Sequence, residues 1–442
     1  MYKQITPNRK IINTKAEVYS RTKEDHGMFK SMNGIKRHWL ILYALFGLLV
    51  TIYLWQTLFP GPIDARAVQY FSEEEILAGR NYALGARLIY IAGIFLNVGI
   101  LSWLFFTRRG KLWAQKTEQI FSGNISRQLL FLGGVFLLIK FVVLPANYLG
   151  RYYWPKHWGL ISQDLGQWLM DHTMSSLGEG ILFVLGSMIM LLIIRRWERR
   201  WWLIGAGLFS AWIFLSILIW PVVVDPLFNK FKPTDDPQVN SMVQGLAERA
   251  GLEVDSVLVM DASRRTTRVN AYFTGLGTTQ RIVLYDNLLE NFPMEEVEYV
   301  VAHEIAHWQK GHMICGATMG SVAGFFFLLY LYHLDRLQTR GIKQSKIRRD
   351  FNLVITCLLL IQLISFIGNP LENKLSRIME QEADSTAVYW TKNPTAAVSM
   401  QVGLAKGNKT DISPPAFISW FGYTHPPVLE RIKNIEQSIE AE

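Results

Sequence analysis

The stretch Val300-Val301-Ala302-His303-Glu304-Ile305-Ala306-His307-Trp308 decides how the rest of this 442-residue chain is read. It holds the pattern H-E-x-x-H within a segment of helical periodicity, where Val297, Val300, Val301 and Ile305 form an apolar stripe. Pro293 suits a first helical position, Asn291 suits a cap, and Glu295, Glu296 and Glu298 complement the positive end of the helix dipole. At 3.6 residues per turn His303 and His307 stand one above the other on one face, where both reach a single tetrahedral Zn2+. Glu304 lies one position round, placed to take a proton from a water activated by that ion. With nine histidines in the chain, chance produces such a pattern on the order of once in a hundred comparable sequences, so the segment is read as a metal site.

Composition sets the surroundings of that helix. Half of the residues are hydrophobic and the chain carries 15 Trp and 25 Phe, which points to a lipid bilayer as the solvent. The net charge of +9 is no argument for nucleic acid: the basic residues cluster in short segments beside apolar runs, where they act as topology determinants, and no nucleic-acid motif is present. Cys315 and Cys357 both lie in apolar runs, so no disulfide framework is expected.

Residues 1–38 form a basic tail with no apolar core of a cleavable signal peptide. Apolar runs long enough to cross a bilayer of ~30 Å then follow at 39–59, 86–106, 129–148, 181–194, 202–224, 315–333 and 351–367, the fourth being the shortest. The chain therefore divides into the tail, five membrane helices within 39–224, a soluble insertion at 225–314 that carries the H-E-x-x-H helix, two further membrane helices within 315–369, and a helical C-terminal region at 370–442. Lys140, inside the third run, either lines an internal cavity or reaches an interface, while Asp171 and His172 read as solvated loop residues before the fourth helix. Trp154, Trp158, Trp201 and Trp202 read as an interfacial belt. In the insertion, 235–250 reads as a helix ended by Gly251, and 256–260 and 281–285 as strands of a small antiparallel sheet. Between them, Val269-Asn270-Ala271-Tyr272-Phe273-Thr274-Gly275 reads as an edge strand to which a peptide can add by backbone pairing.

A third protein ligand is needed. His312 is near in sequence but misses the metzincin register. Ser376-Arg377-Ile378-Met379-Glu380-Gln381-Glu382-Ala383-Asp384 serves better: Glu380 and Asp384 share a helical face, and small Ala383 and Ala387 let another helix approach. Glu380 is taken as the ligand, Asp384 as a group that orients a ligand histidine, and Glu382 as exposed.

On these blocks, together with Asn270 to Gly275, His425-Pro426-Pro427 and Glu430-Arg431, the chain resembles the zinc-dependent type I CAAX prenyl endopeptidases. The resemblance implies a mainly α protein, about seven transmembrane helices enclosing a chamber, with a small α+β gluzincin-like catalytic insertion. It implies one zinc held by His303, His307 and Glu380, with Glu304 as general base. Asn270 then holds substrate backbone, and His425 and Arg431 bind substrate or steady the oxyanion. The partners it implies are the lipid bilayer and a peptide or protein substrate, C-terminally prenylated in the CAAX reading. A quality-control protease for membrane proteins, without prenyl specificity, is the alternative, and a non-catalytic seven-helix receptor leaves the metal motifs unexplained. A multi-pass position in a bacterial inner membrane or an endoplasmic reticulum membrane fits all of these. The basic short loops belong on the cytoplasmic side, so strict alternation puts the insertion and the C-terminal region on the other face, whereas eukaryotic members of the family are described with that region facing the cytosol.

Overall fold

The computed structural model describes residues 9–107, 110, 112–113, 115–116, 124–252, 254, 256–275, 280–339 and 346–440. Among these, seven helices are long and apolar enough to cross a bilayer: Gly34–Leu58, Glu73–Phe106, Ile125–His157, Leu165–Arg196, Trp201–Phe228, His312–Thr339 and Arg349–Thr391. Helix α1 (Arg9–Leu58) joins the basic tail to the first span without a break, α2 is Glu73–Phe106, and α3 (Asn124–Tyr148) runs on through a wide turn at Leu149–Tyr153. The fourth helix, α4 (Leu165–Arg196), starts far earlier than its apolar core at 181–194. Asp164 and Gln167 cap it reciprocally, and the polar face of its first half lines a cavity of about 250 Å³. Asp171 and His172, expected in a loop, are therefore helical and line that cavity. Lys140 lines it too and pairs with Glu179 of α4. Helix α5 is Trp201–Ile219.

The insertion begins with β1 (Phe231–Pro233) and α6 (Pro237–Ala250), which Asp236 caps and Gly251 ends at a positive φ of 69°. Strands β2 (Val257–Met260), β3 (Ala271–Thr274) and β4 (Arg281–Tyr285) complete a sheet of order β1-β2-β4-β3. The expected antiparallel pairing of 256–260 with 281–285 is corrected: β2 and β4 run parallel, while β3 pairs antiparallel with β4. Ile282, Val283 and Leu284 of β4 are all buried, so this central strand is covered on both faces, as strands of parallel sheets are. After α7 (Asp286–Asn291) comes α8 (Met294–Gln309), with Pro293 just outside it and no side-chain cap. Asn291 does not cap α8; its amide bonds the Asn287 carbonyl within α7.

The chain returns to the membrane in α9 (His312–Thr339) and α10 (Lys346–Thr391). The basic segment Arg336–Arg349 falls partly on 340–345, outside the described residues. At 46 residues α10 extends about 69 Å, twice a bilayer core, so one helix serves both membrane and catalytic region. Its span is 50% buried against 6–22% for the other six, which makes it the central post. Leu359, Leu360 and Leu363 bury in the membrane half; Ala383 and Ala387 join Ala302 and Ala306 of α8 in a second core, where the small side chains let the two helices approach closely. Helices α11 (Pro394–Gly407), α12 (Ala416–Gly422) and α13 (Val428–Glu440) close the C-terminal region. Two spans separate α8 from the end of α10, so both ends emerge on the same side.

Candidate metal centre

Helix α8 presents His303 and His307, and the far half of α10 presents Glu380 to both. His303 Nε2 is 3.2 Å from Glu380 Oε2, His307 Nε2 is 3.4 Å from Glu380 Oε1, and the two Nε2 atoms are 3.1 Å apart. One ligand atom from each residue fits within 4.8 Å of the others. Glu380 Oε2 is buried without a hydrogen-bond donor of its own. Two imidazoles and a carboxylate converging on one point, with a buried oxygen left over, are the donors of a three-ligand catalytic metal site, so the residues fit a divalent cation. Burial disfavours a charged His303, yet the neighbouring carboxylates of Asp384 and Glu380 outweigh it and raise its pKa to about 10, so the pocket favours positive charge at this point.

Each histidine is held through its other nitrogen. His303 Nδ1 lies 3.0 Å from Asp384 Oδ1. Asp384 in turn receives Arg431 of α13 at 2.7 and 2.5 Å and the Tyr299 hydroxyl at 2.9 Å, and Gln401 of α11 donates to Tyr299 at 3.2 Å. Arg431 is thus engaged behind His303. His307 Nδ1 instead meets His312 Nδ1 at 2.8 Å, and His312 leads on to Glu382 at 3.3 Å. Glu382 is exposed and also holds Lys310 at 3.2 Å.

Glu304 is raised above the usual carboxylate range by burial, although His303 and His307 pull the other way, and the Phe273 N–H of β3 donates to it. Strand β3 is an edge strand, and the Phe273 ring stacks on Trp308 of α8 at 4.3 Å, which fixes the strand beside the H-E-x-x-H helix. His425, in the loop before α13, is half exposed and places Nε2 3.3 Å from Glu380 Oε2. Asn270 is exposed in a cavity of about 620 Å³ next to β3. The structure thus gathers His303, His307, Glu380, Asp384, Arg431 and His425 around one point and sets Glu304 and Asn270 beside β3. Sequence reasoning missed Tyr299 and Gln401. Tyr299 stands four residues before His303, on the same helical face, and that spacing was its signal; Gln401 offered none.

The comparisons with known proteins run along most of the chain. A sequence model described as peptidase family M48 matches residues 233–439, and one described as the CAAX prenyl protease N-terminal region of five membrane helices matches residues 65–230. The chain is 27% identical over 423 residues to the uncharacterized metalloprotease YhfN of Bacillus subtilis (strain 168), across 92% of this chain and 98% of that one. It is 28% identical over 399 residues to CAAX prenyl protease 1 of Saccharomyces cerevisiae, across 82% and 86%. The crystal structure of S. mikatae Ste24p shares the fold, with a TM-score of 0.78 at 22% identity over 90% of this chain and 98% of that one. From residue 65 to residue 439 the sequence is accounted for by these two adjoining regions, and the chain is a multi-pass membrane metalloendopeptidase belonging to the CAAX prenyl protease family of M48 peptidases.

Proposed function

We propose that the metal is a single zinc ion held by His303, His307 and Glu380, with Glu304 as general base, and that the substrate is a peptide C-terminus carrying a prenyl group. The carrying observation is the convergence of the three donors around a buried, unsatisfied Glu380 oxygen. When bound, zinc supplies a Lewis acid that polarises the scissile carbonyl and makes water acidic enough to react at neutral pH. The residues of the chain do the rest. Glu304, raised by burial, accepts the proton of the attacking water and delivers it to the leaving amine. The free edge of β3 pairs with substrate backbone, with Asn270 at its upstream end. His425 reaches Glu380 from the open side and is positioned to donate to the developing oxyanion. Asp384 orients His303, and Arg431 acts through Asp384. In this reading residues 225–314 and 370–442 form the catalytic unit, with 39–224 and 315–369 as its membrane frame and 1–38 as a basic tail.

The test pairs two measurements. Purified protein should hold one zinc per chain, and Glu304→Gln should keep that zinc while losing a factor of about 10²–10⁴ or more in kcat, since Gln is nearly isosteric but accepts no proton. Loss of zinc together with activity would make Glu304 structural. A farnesylated peptide should be cleaved far better than its unfarnesylated twin; equal rates would point to general membrane-protein substrates. Short-loop charge places the catalytic unit away from the cytoplasm, so Ser241→Cys, exposed on α6, should react with an impermeant maleimide in intact cells. Labelling only after lysis would reverse that orientation.

A further inference from the structure

The face of α10 that presents Glu380 and Asp384 runs back through Arg377 and Asn373, since Asn373, Arg377, Glu380 and Asp384 follow one another at helical spacing. Arg377 and Asn373 both reach the C-terminal end of α12. Arg377 Nη1 donates to the Ser419 and Tyr423 carbonyls at 3.0 and 2.5 Å, and its Nη2 to the Trp420 carbonyl at 3.4 Å. Asn373 Nδ2 donates to the Phe421 carbonyl at 2.7 Å. The last carbonyls of a helix lack acceptor partners within it and carry the negative end of its dipole, so a forked guanidinium is suited to cap them.

The cap ends two residues short of His425. Only Thr424 and His425 stand between the held Tyr423 carbonyl and Pro426-Pro427, whose rings fix φ. Thr424 Oγ1 meets His425 Nδ1 at 2.9 Å, and beyond the prolines Arg431 fastens α13 to Asp384. The loop is therefore tied to α10 at both ends, by Arg377 about one turn before Glu380 and by Asp384 one turn after it. The His425 side chain is 55% exposed and meets Glu380 at 3.3 Å, a contact too weak at such exposure to fix the ring. Its place comes from the backbone. Helix α12 has other support, because Ile418 and Phe421 are buried and Arg87 donates to the Tyr423 hydroxyl at 3.0 Å. Removing Arg377 should loosen the loop without unfolding that helix.

We propose that Arg377 is a positioning residue: it fastens the end of α12 to α10 and so sets where His425 stands relative to Glu380. This deepens the peptidase reading above and rests on the oxyanion role given there to His425. The test is a double-mutant cycle in the full-length protein with a farnesylated, internally quenched peptide. Arg377→Met should hold as much zinc as wild type and speed hydrogen exchange at the Tyr423, Thr424 and His425 amides by about tenfold or more, with α8 unchanged. Its kcat should fall by about 10- to 50-fold with KM within about twofold, since a displaced oxyanion donor acts on the chemical step. In a His425→Ala background the same substitution should change kcat by less than about twofold, because the group it positions is gone. Arg377→Lys, which keeps a cation on the carbonyls, should regain most of the loss. Equal losses in both backgrounds would make Arg377 merely structural and overturn the proposal. A wild-type kcat, a loss falling on KM, or unchanged exchange in Arg377→Met would overturn it as well. If Arg377→Met does not fold, Arg377→Gln takes its place under the same criteria, and loss of metal in both would refute a role confined to the loop. A wild-type kcat in His425→Ala would sink the oxyanion reading and this inference while leaving Glu304 and the metal ligands in place; wild type inert on the peptide would sink the peptidase reading itself.

Discussion

Behind His303 stands a closed set of charges: Asp384 and Arg431, whose side chains are 7% and 12% exposed, with buried Tyr299 bonded to Asp384. Behind His307 stands His312, which leads through Glu382 and Lys310, at 47% and 38% exposure, to open water. The difference follows from helix geometry. Asp384 sits four residues after Glu380, so α10 presents from one face both the proposed ligand and the carboxylate that meets His303. Tyr299 sits four residues before His303, so α8 braces its own histidine, and Arg431 ties in α13. The buried side therefore joins four helices, α8, α10, α11 and α13, and the exposed side joins α8, the start of α9 and one turn of α10. One histidine is placed by the fold, and the other is adjusted at its rim.

Glu380 belongs to both sides, so its removal should have the largest effect. Glu380→Ala should lower metal affinity by orders of magnitude and leave the purified protein metal-free, as read by metal analysis after gel filtration. Full occupancy in Glu380→Ala alongside an empty His312→Ala would show that His312 is the ligand.

Asp384→Asn comes next and acts twice. It takes the orienting anion from His303, which costs on the order of 10–100-fold in metal affinity, and removes the carboxylate charge beside buried Arg431, which costs up to about 3–5 kcal/mol of stability. Burial already disfavours the Arg431 charge, and Asp384 more than offsets this, so the loss should appear as a clear drop in Tm of the solubilised protein. Adding Arg431→Met should restore part of the stability but not the metal affinity. A double variant no more stable than Asp384→Asn alone would mean that the pair does not fasten α13.

What the sequence made legible divides along the same line. His303 and His307 stood out because metal chemistry demands such residues at helical spacing, and Glu380 and Asp384 because they share a helical face in a second block; the structure brings His303, His307 and Glu380 together. The seven spans were legible from apolar length, except that the polar first half of α4 hid its extent: Asp171, His172 and Glu179 face a cavity, and hydropathy cannot distinguish cavity from loop. The parallel pairing of β2 and β4 stayed hidden because register depends on the crossover, although the unbroken Ile282-Val283-Leu284 run was a clue to a strand buried on both faces. The brace on His303 draws on four helices, three of them far from α8 in sequence, and only tertiary structure brings Gln401 and Arg431 to it.

The exposed side should yield the smallest effects, and their ordering is the sharpest check on the comparison. His312→Ala removes the group facing His307 Nδ1, but water can take its place at a half-buried histidine, so metal affinity should fall by about tenfold, at the low end for such neighbours, with little change in Tm. Glu382→Gln should do less still. Its ion pair with Lys310 is solvent-exposed, where such pairs contribute about 0–1 kcal/mol, and the amide oxygen can still accept from His312. Metal affinity should then change by less than about twofold and Tm by a degree or so, with the difference fading in high salt. If Glu382→Gln instead matched Asp384→Asn in either measurement, charge at the rim would be placing His307 as firmly as the buried set places His303, and the two supports would be equivalent despite their burial.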